Sequence, residues 1–445
     1  MRKKGFMFVL VLVMSLSALL TGCSGSGGSD TASGSGGNQS SDGKTIVNFW
    51  SFWGSETRRP VIQHMVDEFN KSQDKIKVEY TYLPWGDIWT KELASVAAGN
   101  PPDVVVQDIM SVPLRASKDQ ITNLSKYIEK EGDDFGKRFF PQLWDMMDYN
   151  GDIYAVPYNT DTRVLFYNKD LFKKAGLDPN DPPETWQELW EYANKLDVKN
   201  GDQYETIGFY PLWGVGKDIW LENADGDAYF NSDMKPVIND PTSVEVMNWL
   251  KKWNEKYGMD TIHRYDAYFK NSQANPFLTG KLGMYVQAAT FYTQIRDYAK
   301  DLNFGVTLMP EFKPGSGHTS WGGGFEVEIP KGSKHPDAAW EFIKYLTGKQ
   351  AQKYWAVHTF DNVANIEAAK AAGDSPKLND ESQMVYKVAT ESVKNNVVTP
   401  YPLKAPNFLD KVNPPLDKAL LGQMPVEKAL NQAQHAVEQS IKANQ

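Results

Sequence analysis

Residues 46–55 read IVNFWSFWGS, a strand pattern from Ile46 to Trp50 that runs into the turn Ser51-Phe52-Trp53-Gly54. Ser55 then stands where its hydroxyl can cap a helix, in which Val61, Ile62, Met65, Val66 and Phe69 share one face. IKVEYTY (76–82) alternates apolar and polar residues, as a half-buried strand does. A second helical stretch turns Ile88, Trp89, Leu93, Val96 and Ala97 inward and stops at Gly99-Asn100-Pro101-Pro102. Asp103 to Val106 then forms a short buried strand. This β-α-β-α-β order predicts an α/β fold with an open, mostly parallel sheet. Ligands of such sheets sit outside the carboxyl ends of the strands, which here are Trp50 to Glu56 and Gln107-Asp108.

Further along, Asp152 to Tyr158 and Thr162 to Asn168 read as a hairpin-like pair joined by Asn159-Thr160-Asp161. After Pro182-Pro183 a helix carries Trp186, Leu189, Trp190 and Ala193 on one face, and Val244–Trp253 and Ala338–Leu346 repeat the pattern. A last amphipathic helix from Pro425 presents Val426, Ala429, Leu430, Ala433 and Val437. Its mixed charges suit a solvated outer face and not a membrane surface.

The segment before the first strand is an address and a tether. Arg2-Lys3-Lys4 precedes an apolar run from Phe6 to Leu20, too short for a comfortable span but suited to a signal peptide over residues 1–22. The run ends in Leu20-Thr21-Gly22-Cys23, which resembles the bacterial lipobox and makes Cys23 the expected diacylglycerol attachment point. Two acyl chains supply the double hydrophobic signal that stable anchoring needs. From Ser24 to Lys44, fourteen of twenty-one residues are Gly or Ser, so residues 23–44 form a flexible spacer. Its root-mean-square reach is about 25 Å.

Composition narrows the function. The 445 residues carry 47 Lys+Arg and 56 Asp+Glu, a net charge of −9; without Arg2, Lys3 and Lys4 the balance is −12. A nucleic-acid partner requires a basic footprint, which this chain lacks. One cysteine excludes an internal disulfide framework and multi-cysteine zinc sites. Asn223-Ala-Asp225-Gly-Asp227 lacks the spacing and terminal Glu of a calcium loop, so no metal and no cofactor are expected.

Several segments, in order, resemble the extracellular solute-binding proteins of carbohydrate ABC transporters, the family that includes maltose-binding protein. They are Asn150-Gly-Asp-Ile-Tyr-Ala-Val-Pro-Tyr158 through Leu165-Phe-Tyr-Asn-Lys-Asp-Leu-Phe172, then Pro183-Glu-Thr-Trp-Gln-Glu-Leu189 and Phe277-Leu-Thr-Gly-Lys-Leu-Gly-Met284. Phe304-Gly-Val-Thr-Leu-Met-Pro310, Gly322-Gly-Gly324 through Ile329-Pro-Lys-Gly-Ser-Lys-His-Pro-Asp-Ala-Ala339, and Pro425-Val-Glu-Lys-Ala-Leu430 follow. The resemblance implies a two-lobe, type II periplasmic-binding-protein-like fold with a ligand cleft between hinged lobes. Lobe I would hold 45–158 and 305–332, and lobe II 160–302 and 333–445, with hinges at Asn159–Asp161 and before Phe304. It further implies a lipid-anchored receptor that captures a sugar or oligosaccharide and hands it to the permease of an ABC importer. That receptor is expected to be a monomer with no enzymatic activity, held outside the cytoplasmic membrane of a Gram-positive cell through its lipid alone.

A neutral sugar offers apolar C–H faces and a rim of hydroxyls, so its site needs flat aromatic platforms and fork-like carboxylates or amides. Among the fourteen tryptophans, Trp186, Trp190, Trp249, Trp253, Trp340 and Trp355 fall in helical patterns and read as core. Trp89 and Trp144 also read as core, and Trp50 is undecided. Trp53, Trp85, Trp213, Trp220 and Trp321 read as loop residues, where binding residues concentrate. Glu56, Asp108 and Asp161 are the polar candidates. Asp161 is the closer match to the family's ligand-contacting acids, while Asp108 could equally cap the next helix. Gly322 and Gly323 would let backbone N–H groups approach a ligand, or serve a tight turn. Phe408 matches a position where the family often presents an aromatic ring, with Asn407 beside it. The competing reading is an exported carbohydrate-active hydrolase using paired carboxylates. No pair is singled out by spacing, and neither a Gly-x-Ser-x-Gly elbow nor a His-Glu-x-x-His helix occurs.

Overall fold

The computed structural model describes residues 43–444; the signal segment, Cys23 and most of the spacer lie outside the described residues. Strand β1 (Thr45–Ser51) runs parallel to both β2 (Ile76–Tyr82) and β3 (Val104–Asp108), joined through helices α1 (Arg58–Ser72) and α2 (Asp87–Ala97). Ser55 Oγ does accept the Arg58 N–H, at 3.1 Å, at the start of α1. Along β1 and beyond, Val47, Phe49, Ser51 and Trp53 are buried, a period-2 face against which Phe342 and Trp355 pack. Phe49 and Phe69 both meet Phe342 edge-on, at 5.2 and 5.1 Å. Burying each such ring contributes about 1.5–3 kcal/mol.

The sheet is completed by segments from far along the chain. Strand β4 (Ala155–Asp161) belongs to it, and β5 (Arg163–Asn168) lies in a second sheet with β6 (Met284–Ala288) and β7 (Phe304–Leu308). Strand β8 (Ser320–Trp321) leads into β9 (Gly323–Glu328), which inserts antiparallel between β3 and β4. The edge strand β10 (Asn362–Val363) gives the order β10-β4-β9-β3-β1-β2, mixed through β9 and β10 and otherwise parallel. The other sheet has the order β6-β5-β7 and is antiparallel.

Three boundaries differ from the sequence reading. The two halves of the expected hairpin, β4 and β5, do not pair with one another, because the chain passes straight from one sheet to the other at Thr162. Residues 305–308 belong to the smaller sheet through β7, so the return to the larger sheet begins near Ser320. Helices α3 (Pro336–Leu346) and α4 (Lys349–Thr359) pack on the larger sheet through Phe342 and Trp355, which moves this part of 333–445 to the first lobe.

Thr162 is buried at a junction of three chain passages. Its hydroxyl lies 3.1 Å from Ser320 Oγ, 2.7 Å from Ser392 Oγ and 2.7 Å from Asn396 Oδ1. Asn396 Nδ2 donates to the Asp161 carbonyl at 2.7 Å, and Ser392 Oγ to the Arg163 carbonyl at 3.0 Å. A fully satisfied buried polar network of this kind holds a unique geometry where an apolar contact would tolerate slippage. The second passage thus lies at Ser320 and not before Phe304.

Candidate functional site

Two pockets open beside this junction, at the carboxyl ends of β1 and β3. The larger, about 300 Å³, is lined by Phe52, Trp53, Gly54, Ser55, Arg58, Trp85, Asn159, Phe325 and Asp361. Its most prominent ring is Trp85, 59% exposed, braced edge-on by Phe52 at 4.8 Å and Trp89 at 4.7 Å. Phe325 meets Phe52 at 4.7 Å. Such bracing leaves the Trp85 face free while fixing its orientation, which is what a stacking platform requires. On the polar side, Arg58 is paired with Asp361, and burial acts against the strong pull of Asp361 and Asp161 that keeps the guanidinium charged. The Asn159 side chain is buried with its Oδ1 unbonded.

The second pocket, about 150 Å³, has walls of Trp321, Phe408, Phe230 and Tyr401, with Glu222 and Tyr229 among its polar members. Phe408 meets Phe230 edge-on at 4.9 Å. The Arg163 guanidinium lies 4.7 Å from the Trp321 ring centre and is paired with Asp161 at 2.7 Å. Asp161 also accepts the Thr162 N–H at 3.0 Å. It lies where the chain passes between the sheets, lines neither pocket, and reaches the first electrostatically through Arg58.

The expected site residues divide. Trp85 borders the larger pocket, and Trp321 and Phe408 the smaller. Trp53 borders the larger pocket, but its ring is 2% exposed, held 4.7 Å from Tyr158 and 4.5 Å from Trp355, so it is a core ring and not a platform. Trp213 and Trp220 are also core: Trp213 stacks on Tyr265 and donates to Asp266 at 2.8 Å, and Trp220 donates to the Pro211 carbonyl at 2.8 Å. Glu56 is exposed and lines neither pocket. Asp108 caps the turn after β3, accepting from Met110 N at 2.9 Å, while its other oxygen accepts the Tyr401 hydroxyl at 2.9 Å. Burial raises its carboxyl pKa, and it acts on the smaller pocket only by holding Tyr401.

The glycines serve packing, and do not aim free N–H groups into the cleft. Gly322 donates to the Val397 carbonyl at 2.7 Å, and the Trp321 ring occupies the space a Cβ on Gly323 would need. Sequence reasoning missed Phe52, Arg58, Asn159, Phe325 and Asp361, as well as Glu222, Tyr229 and Tyr401. For Phe52 a signal existed: alternation from Val47 sends Trp53 inward and Phe52 outward. No local signal marks Asp361 or Tyr401, which reach the cleft from distant segments.

Among the described residues no group of three or more His, Cys, Asp and Glu side chains could hold a metal, and no helix is long and apolar enough to cross a membrane.

Comparison with known proteins agrees with this two-sheet architecture. The family model described as bacterial extracellular solute-binding protein matches residues 53–353. The arabinooligosaccharide-binding protein of Bacillus subtilis (strain 168) is 27% identical over 395 residues, covering 86% of each chain. The sn-glycerol-3-phosphate-binding periplasmic protein UgpB of Escherichia coli (strain K12) is 29% identical over 283 residues, 60% of this chain and 61% of that protein. Among solved structures, CpMnBP1 with mannobiose bound superposes with a TM-score of 0.72 at 27% identity, over 88% of this chain and 99% of that one. A match over this much of the chain makes the protein a member of the bacterial extracellular solute-binding protein family.

Proposed function

We propose that this protein is the substrate-binding component of an ABC importer, that its ligand is a neutral sugar or oligosaccharide, and that ligand capture closes the lobes about the Thr162 junction. The observation that carries the reading is the braced, exposed Trp85 ring beside the Arg58–Asp361 pair and the unbonded Asn159 amide. A sugar's C–H face covers the ring while its hydroxyls meet the amide and carboxylate. Relatives that bind arabinooligosaccharide and mannobiose support the same class. Within it, Trp85, Trp321 and Phe408 are the ligand-contacting residues we retain from the sequence, with Asp161 acting on the site through Arg58 and Arg163. Cys23, by its lipobox, anchors the protein outside the cytoplasmic membrane as a monomer, and the receptor performs no chemistry on its ligand.

Incubation with an oligosaccharide panel tests this. A rise in melting temperature with the sugar recovered intact is expected, whereas product formation would favour the hydrolase reading. Trp85→Ala should weaken the best ligand about tenfold, as loss of one stacked aromatic face implies, with little change in the ligand-free melting temperature. Unchanged affinity in titration calorimetry would remove Trp85 from the site.

A further inference from the structure

The smaller pocket contains two buried polar atoms that no other group among the described residues satisfies. Glu222 is 4% exposed; its Oε1 accepts from Thr399 Oγ1 at 3.3 Å, while its Oε2 has no hydrogen-bond partner. The hydroxyl of Tyr229, also buried, has none either. Both side chains line the same cavity. A buried polar atom left unbonded costs about 1–3 kcal/mol, so two around one cavity point to a partner that enters it.

The surroundings define that partner's chemistry. Phe408 and Trp321 supply apolar faces. The charged members of the wall are Asp218 and Asp227 beside Glu222, with no lysine or arginine among the lining residues. Asp218 lies one turn before Glu222 on helix Lys217–Asp225, which puts both carboxyl groups on one face. Lys217, at the start of that helix, is paired with Asp417 at 2.8 Å. Burial first, and Asp218's charge second, hold the Glu222 carboxyl well above the usual range, which favours its protonated form, a donor as well as an acceptor.

We propose that Glu222 and Tyr229 form a subsite for one uncharged, hydroxyl-bearing sugar unit, and that this pocket rejects acidic sugars and phosphorylated ligands. The assignment rests on the saccharide-binding reading above and narrows it. A sugar hydroxyl can donate to Glu222 and accept from Tyr229. A carboxylate or phosphate there would lose its water, meet no cation among the lining residues and face Asp218 and Asp227.

Titration calorimetry of the full protein decides this, using neutral gluco-, manno- and arabino-oligosaccharides of two to four units. Oligogalacturonates of the same lengths and sn-glycerol 3-phosphate serve as the charged probes. Glu222→Leu should weaken the best neutral ligand about 10–100-fold, and Tyr229→Phe about 3–10-fold. Glu222→Gln, whose amide also donates and accepts, should stay within about threefold of the parent. The charged probes should give no binding at concentrations that saturate the neutral ligand. If Glu222→Leu does not fold, Tyr229→Phe and the charged probes still decide. Parental affinity in the folded Glu222→Leu and Tyr229→Phe variants, or charged probes bound as tightly as neutral ones, overturns the subsite and leaves the Trp85 reading standing. A parent protein that binds no neutral oligosaccharide overturns both.

Discussion

Arg115→Leu is expected to lower stability by about 3–5 kcal/mol near neutral pH, the cost of removing one partner from a buried ion cluster. Arg115 follows β3 and is buried, donating to Glu92 Oε1 at 2.9 Å and to Glu328 Oε1 at 2.6 Å. Glu326 lies alongside, buried, with neither carboxyl oxygen bonded to a donor group. One cation thus bonds two buried glutamates and acts on a third through space. Burial lifts the Glu328 carboxyl from an ordinary 4.5 to about 7, against the pull of Arg115. Burial, then the charge of Glu328, lifts Glu326 as well.

Because folding raises these carboxyl pKa values, their stabilising contribution is complete below about pH 4.5 and, for Glu328, is lost as pH rises through about 7. The parent should accordingly be more stable near pH 5 than near pH 8 as far as this cluster is concerned. Without Arg115 both glutamates shift further up, so the variant's deficit should be largest at neutral pH and shrink near pH 5, where the carboxyls are protonated. Urea denaturation of parent and variant at the two pH values measures it. A deficit of equal size at both would mean that lost packing, and not unpaired charge, is responsible.

Gly324→Val should also be strongly destabilising, by about 3 kcal/mol or more, since a β-branched residue cannot adopt the backbone that this position requires. Gly324 has φ +137°, and a Cβ there would stand 2.2 Å from the Asn159 carbonyl oxygen and 2.7 Å from Thr160 Cα. Relief requires β4 and β9 to separate where they pair Gly324 with Thr160 and Phe325 with Asn159. That strand pair carries Phe325 and Asn159 into one pocket, and Trp321 just before it lines the other. The variant should therefore lose ligand affinity together with melting temperature. A thermal scan and a calorimetric titration on the same sample check both, and a parental melting temperature would refute the steric argument.

The strands and helices between Ile46 and Val106 were legible because each is written locally. Alternation marks Ile76 to Tyr82, helical spacing marks Val61 to Phe69, and the Pro pair at 101–102 ends the second helix. Trp53 shows how the same signal can be overruled by a weaker one. Its neighbour Gly54 suggested a loop and a site, yet parity with Val47 and Phe49 already placed the ring inside. Trp213 and Trp220 were misread for a related reason: irregular backbone was expected at both, but Trp220 lies on the helix Lys217–Asp225 and Trp213 in a buried turn, and both rings fill the core.

Other features had no local signature. That β9 inserts between β3 and β4, and that Phe342 closes the core over Phe49, depends on segments more than 160 residues apart. Glu222 looked like one acid among 56 until the fold buried it beside Tyr229 and left both without partners.

Family, α/β class and the order of the elements are short-range or cumulative properties, carried by periodicity, capping and a run of motifs, and one chain suffices to read them. Which rings face the cleft, which carboxyls keep their protons and where the chain crosses between sheets are properties of burial. Burial is decided only when distant segments meet, because desolvation and partner supply depend on everything packed around an atom and not on its neighbours in sequence.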